Sequence, residues 1–209
     1  MDLFTDQNSH SFITLPTIDG EALLLESFLN NEEAFNYLGK LKKNVQWRQE
    51  SIKFYGKVYP VPRETAWYGE DGTNYTYSGI SCNPLPWTSE LLELKNRIEK
   101  LVPEASFNSV LLNRYRNGND KVSWHSDDEK ELGINPIIAS ISLGATRRFD
   151  LRHKMDKSKI IKIELKSGSL LIMKGPLQHH WEHQVPQQKR IYDERINLTF
   201  RNINAIGNG

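Results

Sequence analysis

The sequence predicts a mainly β fold with flanking helices (α+β): a double-stranded β-helix, or jelly roll, preceded by helices and hairpins. Three observations predict it. Beyond Pro103 the chain breaks into seven short apolar runs separated by turn signals, the pattern of a sandwich or barrel. Ahead of them stand two amphipathic helical runs, which suits helices buttressing one outer face of a sheet. Between the helices, residues 51–86 are rich in aromatics, Gly and Pro, which is hairpin and loop chemistry.

Length and composition set the frame. With 209 residues, 38% hydrophobic and 25% charged, the chain can bury a full core as one domain. Residues 1–30, whose first part is polar with scattered apolar anchors, are expected to form an N-terminal arm. Residues 31–103 hold the helices and hairpins, and 104–209 the jelly-roll core. The net charge of +1 argues neither for nor against a nucleic-acid partner. Its distribution is uneven: residues 141–209 carry 13 Lys and Arg against 6 Asp and Glu, leaving 14 against 20 elsewhere. The C-terminal part can thus turn a basic face to phosphates, although scattered surface lysines are the commoner cause of such a bias. Cys82 is the single cysteine, which excludes an intrachain disulfide and a cysteine-ligated metal, and suits an intracellular reducing compartment. With no apolar run of about 18 residues and no basic-then-apolar leader, neither a membrane span nor a secretory signal is expected.

The first helix is expected over 30–43 (NNEEAFNYLGKLKK). Asn30 or Asn31 caps it, Glu32 and Glu33 occupy its first turn, and Phe35, Leu38 and Leu41 form its apolar face. Asp71-Gly72 marks a hairpin turn, and Phe54-Tyr55-Gly56 a second tight turn. The second helix runs over 87–102, opening at Thr88 or Ser89, with Leu91, Leu94, Ile98, Leu101 and Val102 as its stripe and Pro103 as its stop. Strands are expected at 109–115, 137–143, 148–152, 160–165, 169–173, 180–185 and 195–201.

Chemistry concentrates in residues 113–128, NRYRNGNDKVSWHSDD, which carry His125, Ser126 and Asp127. A His-x-Asp pair lets one short segment put an imidazole nitrogen and a carboxylate oxygen on the same ion. One His from a distant strand would complete the two-His, one-carboxylate triad of non-haem Fe(II) oxygenases, which leaves positions open for cosubstrate and O2. His179, His180 and His183 compete for that place, and spacing does not choose among them. In an extended strand His179 would share the face of His183.

Two further patterns accompany the pair. Along 195–201, Arg195, Asn197, Thr199 and Arg201 share one face and Ile196, Leu198 and Phe200 the other. Aimed inward, the two guanidiniums make a clamp for a dicarboxylate such as 2-oxoglutarate; aimed outward, they are the wet side of an amphipathic strand. Asn113 and Tyr115 repeat the pattern with an amide and a phenol. In the hairpin region Tyr75, Thr76, Tyr77 and Ser78, with Phe54 and Tyr55, set aromatic faces beside polar edges. These suit a base drawn out of its helix, though aromatics also simply fill cores.

Taken together the motifs are Tyr55-Gly-Lys, Val61-Pro-Arg63, Trp67-Tyr-Gly-Glu70, Tyr75-Thr-Tyr-Ser-Gly79, Asn113-Arg-Tyr115, His125-Ser-Asp127-Asp128-Glu129, Gly168-Ser-Leu-Leu171, His180-Trp-Glu-His183 and the strand 195–201. In this order they resemble the AlkB family of Fe(II)- and 2-oxoglutarate-dependent nucleic-acid dealkylating dioxygenases, most of all the branch with the nuclear DNA-repair members. The resemblance runs from about residue 52 to 203 and leaves residues 1–30 outside it. It implies that His125, Asp127 and His183 are the catalytic iron ligands. It implies that Asn113, Tyr115, Arg195, Thr199 and Arg201 hold 2-oxoglutarate, with Asn197 on the same face; the sequence does not show which arginine takes which carboxylate, and Arg195 is expected at the distal one.

The resemblance also makes the hairpins of 31–103 a nucleotide-recognition lid. A flipped base would lie between Tyr77 and His125, with Tyr75 and Asp128 near its edge and Thr76, Ser78 and Arg63 close by. Phe54, Tyr55 and Gly56 would form the wedge that fills the gap left in the helix. The implied reaction is oxidative demethylation of 1-methyladenine- and 3-methylcytosine-type bases in single- or double-stranded DNA, releasing formaldehyde, succinate and CO2. The alternative is the same chemistry on RNA. A monomer is implied, nuclear in a eukaryote and cytoplasmic in a bacterium. One departure stands out: where the nuclear members carry a longer basic loop, this chain has only the short connection 152–159.

Overall fold

The computed structural model describes residues 11–54, 56–73, 75–77 and 80–204. The chain opens with β1 (Ile13–Thr14) and β2 (Glu21–Leu25), followed by helix α1 (Asn31–Asn44). Two short hairpins, β3 (Ser51–Phe54) with β4 (Lys57–Pro60) and β6 (Tyr75–Tyr77) with β7 (Ile80–Cys82), flank β5 (Glu64–Gly69). Helix α2 (Ser89–Leu101) leads into β8 (Ser109–Tyr115) and β9 (Val122–His125). Then come β10 (Ile138–Gly144), β11 (Arg147–His153), β12 (Ile160–Leu165), β13 (Leu170–Lys174), the short helix α3 (Leu177–His180), β14 (Trp181–Val185) and β15 (Arg195–Arg201).

The strands build the predicted jelly roll. A major sheet runs β1-β2-β13-β10-β15-β8-β5 and a minor sheet β12-β11-β14-β9. Strands β2, β13 and β10 of the major sheet serve two cores, because successive side chains leave opposite faces. On the outer face Ile141, Leu143, Ile196, Leu198 and Phe200 pack with Leu91, Leu94 and Ile98 of α2 and with Ala34, Tyr37 and Leu41 of α1. Between the sheets lie Leu24, Ile138, Leu171 and Met173, facing Phe149, Leu151, Trp181 and Val185.

Both helices start where expected. Asn30 caps α1 through its side chain and closes a capping box with Glu33, and the Thr88 side chain caps α2. The apolar face of α1 is partly the expected one: Leu41 is buried and Leu38 packs against the core, joined by Ala34 and Tyr37, while Phe35 is 75% exposed. The arm expected over residues 1–30 is also corrected. Strand β2 pairs with β13 over five residues and buries Ala22, Leu24 and Leu25, so 21–25 belong to the main sheet. Likewise β5 is a strand of that sheet, paired with β8, so the core draws on the chain well before residue 104. No helix among the described residues is long and apolar enough to cross a membrane.

Candidate active site

The site forms between the sheets, where β9 and β14 of the minor sheet face β15, β8 and β10 of the major one. Strands β9 and β14 pair His125 with His183 and Val122 with Val185, so three steps on β9 answer two on β14. This bulge turns both Val122 and His125 into the cavity. Asp127 follows on a turn strapped to α3 and β14: its backbone N–H donates to Gln178 Oε1 (3.0 Å), and Ser126 Oγ donates to the Trp181 carbonyl (2.9 Å). One ligand atom from each of His125, Asp127 and His183 then lies within 4.8 Å of the others.

The protonation of the triad follows from its partners. His125 Nδ1 lies 2.8 Å from the Ser123 carbonyl and must donate to it, which leaves the Nε2 lone pair for the cavity. Asp127 is fully buried. Burial pushes its carboxyl up, but the Arg201 guanidinium, at 2.7 Å from Oδ2, and the two imidazoles outweigh this and hold it well below the usual carboxylate range. Burial, and then His125, push the His183 imidazole down to about 3, so it is neutral at physiological pH. The other carboxylate oxygen, Asp127 Oδ1, is buried without a hydrogen-bond partner, 3.9 Å from His125 Nε2. A buried anionic oxygen left bare beside two imidazoles is costly unless a cation meets it. The donor set therefore fits a divalent ion such as Fe(II).

His179 is exposed and His180 stands elsewhere, because α3 replaces the extended start expected for residues 180–185. His180 joins Asp19 and His153 in a second cluster with metal-like spacing. There, however, His153 Nδ1 accepts the Asp156 N–H (3.1 Å), which puts the His153 proton on Nε2, facing Asp19 at 3.3 Å. A nitrogen that donates its proton to a carboxylate is not a ligand, so this cluster reads as structural.

On β15 the inward face carries Arg195, Asn197, Thr199 and Arg201, all buried. Asn197 Nδ2 donates to Ser140 Oγ (2.7 Å) and the Ile141 carbonyl, and its Oδ1 accepts from Thr199 Oγ1 (3.0 Å). Arg195 Nη2 donates to Ser142 Oγ (2.8 Å), whereas its Nε and Nη1 are buried without a partner. Burial pushes this guanidinium down to about 10. The two arginines thus differ: Arg201 is bound to a metal-site carboxylate, and Arg195 points two unmet donors into the cavity. Arg63 reaches the same cavity, its Nε donating to Asn113 Oδ1 (2.7 Å), and Tyr115 lines it.

The substrate-side residues divide. Gly56 lies in the β3–β4 turn with φ +78°. Tyr55 and Ser78 lie outside the described residues, and of Phe54, Tyr75, Thr76 and Tyr77 only the backbone is described. Asp128, expected at the base edge, is exposed and paired with Lys154 Nζ (2.9 Å). Sequence reasoning missed Ser140, Ser142, Phe149, Met173 and Gln178. The two serines had a signal, alternating with Ala139, Ile141 and Leu143 along β10.

The class this fold and site define is that of the iron oxygenases. A profile of the 2OG-Fe(II) oxygenase superfamily matches residues 21–201. Among curated proteins, the chain is 44% identical over 197 residues to the alpha-ketoglutarate-dependent dioxygenase alkB homolog 3 of Bos taurus, covering 90% of this chain and 68% of that protein. It is 38% identical over 181 residues to the DNA oxidative demethylase ALKBH2 of Homo sapiens, covering 82% and 69%. Among solved structures, that of OsALKBH1 superposes with a TM-score of 0.64 at 18% identity, covering 91% of this chain and all of that one, which shows the shared fold. The chain belongs to the AlkB family of Fe(II)- and 2-oxoglutarate-dependent dioxygenases. The match extends further toward the N-terminus than the motifs alone suggest, in keeping with the place of β2 in the main sheet.

Proposed function

We propose that this protein reverses alkylation damage in DNA by oxidatively removing methyl groups from ring nitrogens, as in 1-methyladenine and 3-methylcytosine. The observation that carries the reading is Asp127 Oδ1, a buried carboxylate oxygen without a partner in the same cavity as the unmet donors of Arg195. The name of the human relative, a DNA oxidative demethylase, supports DNA as the substrate.

His125 Nε2, Asp127 Oδ1 and His183 would hold the iron. Arg201 keeps Asp127 ionised, and Ser123 keeps the His125 lone pair inward. Arg195 would take the distal carboxylate of 2-oxoglutarate with Nε and Nη1 while Ser142 fixes its remaining edge. Tyr115, Asn113, Asn197 and Thr199 line the same cavity, and Phe149, Val122, Val185 and Met173 exclude water from it. Fe(II), when bound with 2-oxoglutarate and O2, supplies the oxidation that hydroxylates the N-methyl carbon, with succinate and CO2 as co-products; formaldehyde then leaves the base. The base would enter beside the β3–β4 and β6–β7 hairpins. A methylated base that cannot pair is cheaper to flip, which gives the lesion an advantage over intact DNA.

The test is to incubate iron-loaded protein with methylated single-stranded DNA, duplex DNA and RNA, with and without 2-oxoglutarate, and to weigh the products. Loss of the methyl group only in the presence of 2-oxoglutarate is expected on DNA. Unchanged oligonucleotide masses despite bound iron would sink the reading, and an RNA arm faster than both DNA arms would move the substrate to RNA.

A further inference from the structure

We propose that Arg147 is a positioning residue of the cosubstrate pocket, fixing the Tyr115 ring and adding a second buried positive charge that draws the distal carboxylate of 2-oxoglutarate. The inference rests on the reading of Arg195 given above. Arg147 opens β11 on the face that looks across to β8 and β15, and it is 1% exposed. Its guanidinium carbon lies 5.4 Å from the centre of the Tyr115 ring, and that of Arg195 lies 5.3 Å from the same centre. Tyr115 and Arg195 are direct partners in the β8–β15 ladder, so the phenol is held between a cation of its own sheet and one of the facing sheet.

What sets Arg147 apart is its choice of acceptors. It donates to the carbonyls of Asn117 (3.1 Å), Asp120 (2.8 Å) and Pro186 (2.8 Å) and to the amide oxygen of Gln188 (3.3 Å). All are neutral. Asp120 hydrogen-bonds Arg147 only through its backbone carbonyl, because Arg116 takes both oxygens of its carboxylate, whose charge Arg147 feels from nearby. Arg195 likewise meets Ser142 and no carboxylate among the described residues. Arg147 shares the charge of the Asp120 carboxylate with Arg116, and Arg195 meets no carboxylate among the described residues, so the two guanidiniums on the ring are only partly balanced and an anion bound between the sheets would complete the balance. Of the diacid's two carboxylates, the one remote from the metal is the one that would lie at this end.

The same four bonds clamp the loops 116–121 and 186–191 together. Those loops also exchange backbone bonds, Gly118 N–H to the Ile191 carbonyl (2.7 Å) and Gln188 N–H to the Gly118 carbonyl (2.8 Å). They meet so closely that a Cβ at Gly118 would lie 1.8 Å from the Gln188 carbonyl oxygen. Arg147 therefore stands on a rigid base, and its charge and its grip on the ring are delivered at a defined place.

The experiment measures binding without turnover. The Mn(II)-loaded protein is titrated calorimetrically with 2-oxoglutarate and with 2-oxopentanoate, the same chain lacking the distal carboxylate. R147Q should weaken 2-oxoglutarate binding about tenfold, as expected for removing one unit charge at short range in a protein interior, and leave 2-oxopentanoate within about twofold. R147K, which keeps the charge, should recover most of the loss. Equal losses for both acids, no loss for either, or an R147K as weak as R147Q would overturn the proposal. Should the Arg147 variants fail to fold, Q188A at a half-buried loop position carries the test. It should lose about twofold to fivefold for 2-oxoglutarate alone, and a Q188A without that selectivity counts against the proposal. R195Q is the control for the underlying reading. If it still binds 2-oxoglutarate better than 2-oxopentanoate, the reading of Arg195 fails. If it loses that preference while R147Q keeps it, only the role of Arg147 fails.

Discussion

Asp127 is held in two different ways at its two oxygens, and the difference decides what it does. Oδ2 is bound to Arg201 at 2.7 Å, while Oδ1 is bare. D127N keeps the shape and removes the charge. It should weaken Mn(II) binding by about a hundredfold or more and lower the stability of the metal-free protein by about 3 kcal/mol, because the buried pair with Arg201 is broken. Calorimetry and urea unfolding read the two effects, and unchanged Mn(II) affinity would remove Asp127 from the site. His183 makes a second prediction, for the metal-free protein. Its folded pKa, about 3, lies below the ordinary value, so between the two values the unfolded chain binds the extra proton. Stability is complete above about pH 6.5 and falls with pH toward 3, by at most about 1.4 kcal/mol per pH unit. Asp127, also depressed, adds a loss of the same sign below about pH 4. Urea midpoints of metal-free protein should therefore drop between pH 7 and about 5. H183Q should flatten the drop, and a wild-type midpoint level across that range would contradict the assignment. His125 and Asp127 could be read from their spacing as a ligand pair. The choice of His183 over His179 needed the motif order, since no local pattern announces that residues 177–180 form a helical turn before β14.

At the scale of elements, alternation was the most legible signal. The two faces of β15 fall as the residues dictate, and its polar face is buried, which excludes the plainer view of a strand with one wet side. Strand β9 was not legible: four residues with a bulge carry no clean period of two, and the bulge depends on β14 lying beside it. In α1 the period was read correctly, and Leu38 and Leu41 do meet the core, but Phe35 does not. The helix meets the sheet at Ala34, Tyr37 and Leu41, and Ala34 sits against the turn at Gly168, where φ is +82° and a Cβ would come within 2.4 Å of the Leu29 carbonyl oxygen. Only a small residue fits beside so close an approach. Hydrophobicity points to Phe35, but space points to Ala34. Accordingly A34L should cost about 1–3 kcal/mol through overpacking, while F35S should stay within about 0.5 kcal/mol of wild type. Thermal or urea unfolding of the two variants tests the face, and the reverse order of losses would mean that α1 is rotated from the position described.

For the whole molecule, the charge imbalance along the chain turns out to be an internal matter. Lys166 pairs with Glu26, and Lys174 with Glu21 and Glu104, so basic residues of the C-terminal part meet acidic residues of the N-terminal part. Arg148, Arg152, Lys154 and Lys157 are likewise paired, with Asp150, Glu182, Asp128 and Glu182. Each such surface pair contributes little, about 0–1 kcal/mol, and the halves are held together by the sheet instead. Strand β2 is the clearest case. A four-residue apolar run, Ala22 to Leu25, after a polar start reads as an anchored arm, because nothing local to residues 21–25 reveals β13, which lies far along the chain. In the fold, Ala22 and Leu24 enter the core between the sheets, Leu25 the core under the helices, and all five residues cover the edge of β13. Removing residues 1–25 would expose that edge and forfeit three buried leucines, Leu15, Leu24 and Leu25, at about 1.5–3 kcal/mol each, a loss comparable to the lower part of the range of a typical domain's stability, about 5–15 kcal/mol. The shortened chain should lose its cooperative melt by circular dichroism and bind Mn(II) poorly, since β13 neighbours β10 and, through it, β15. A sigmoidal melt within a few degrees of the full chain would show that the sheet closes without β2 and that residues 21–25 are an arm after all.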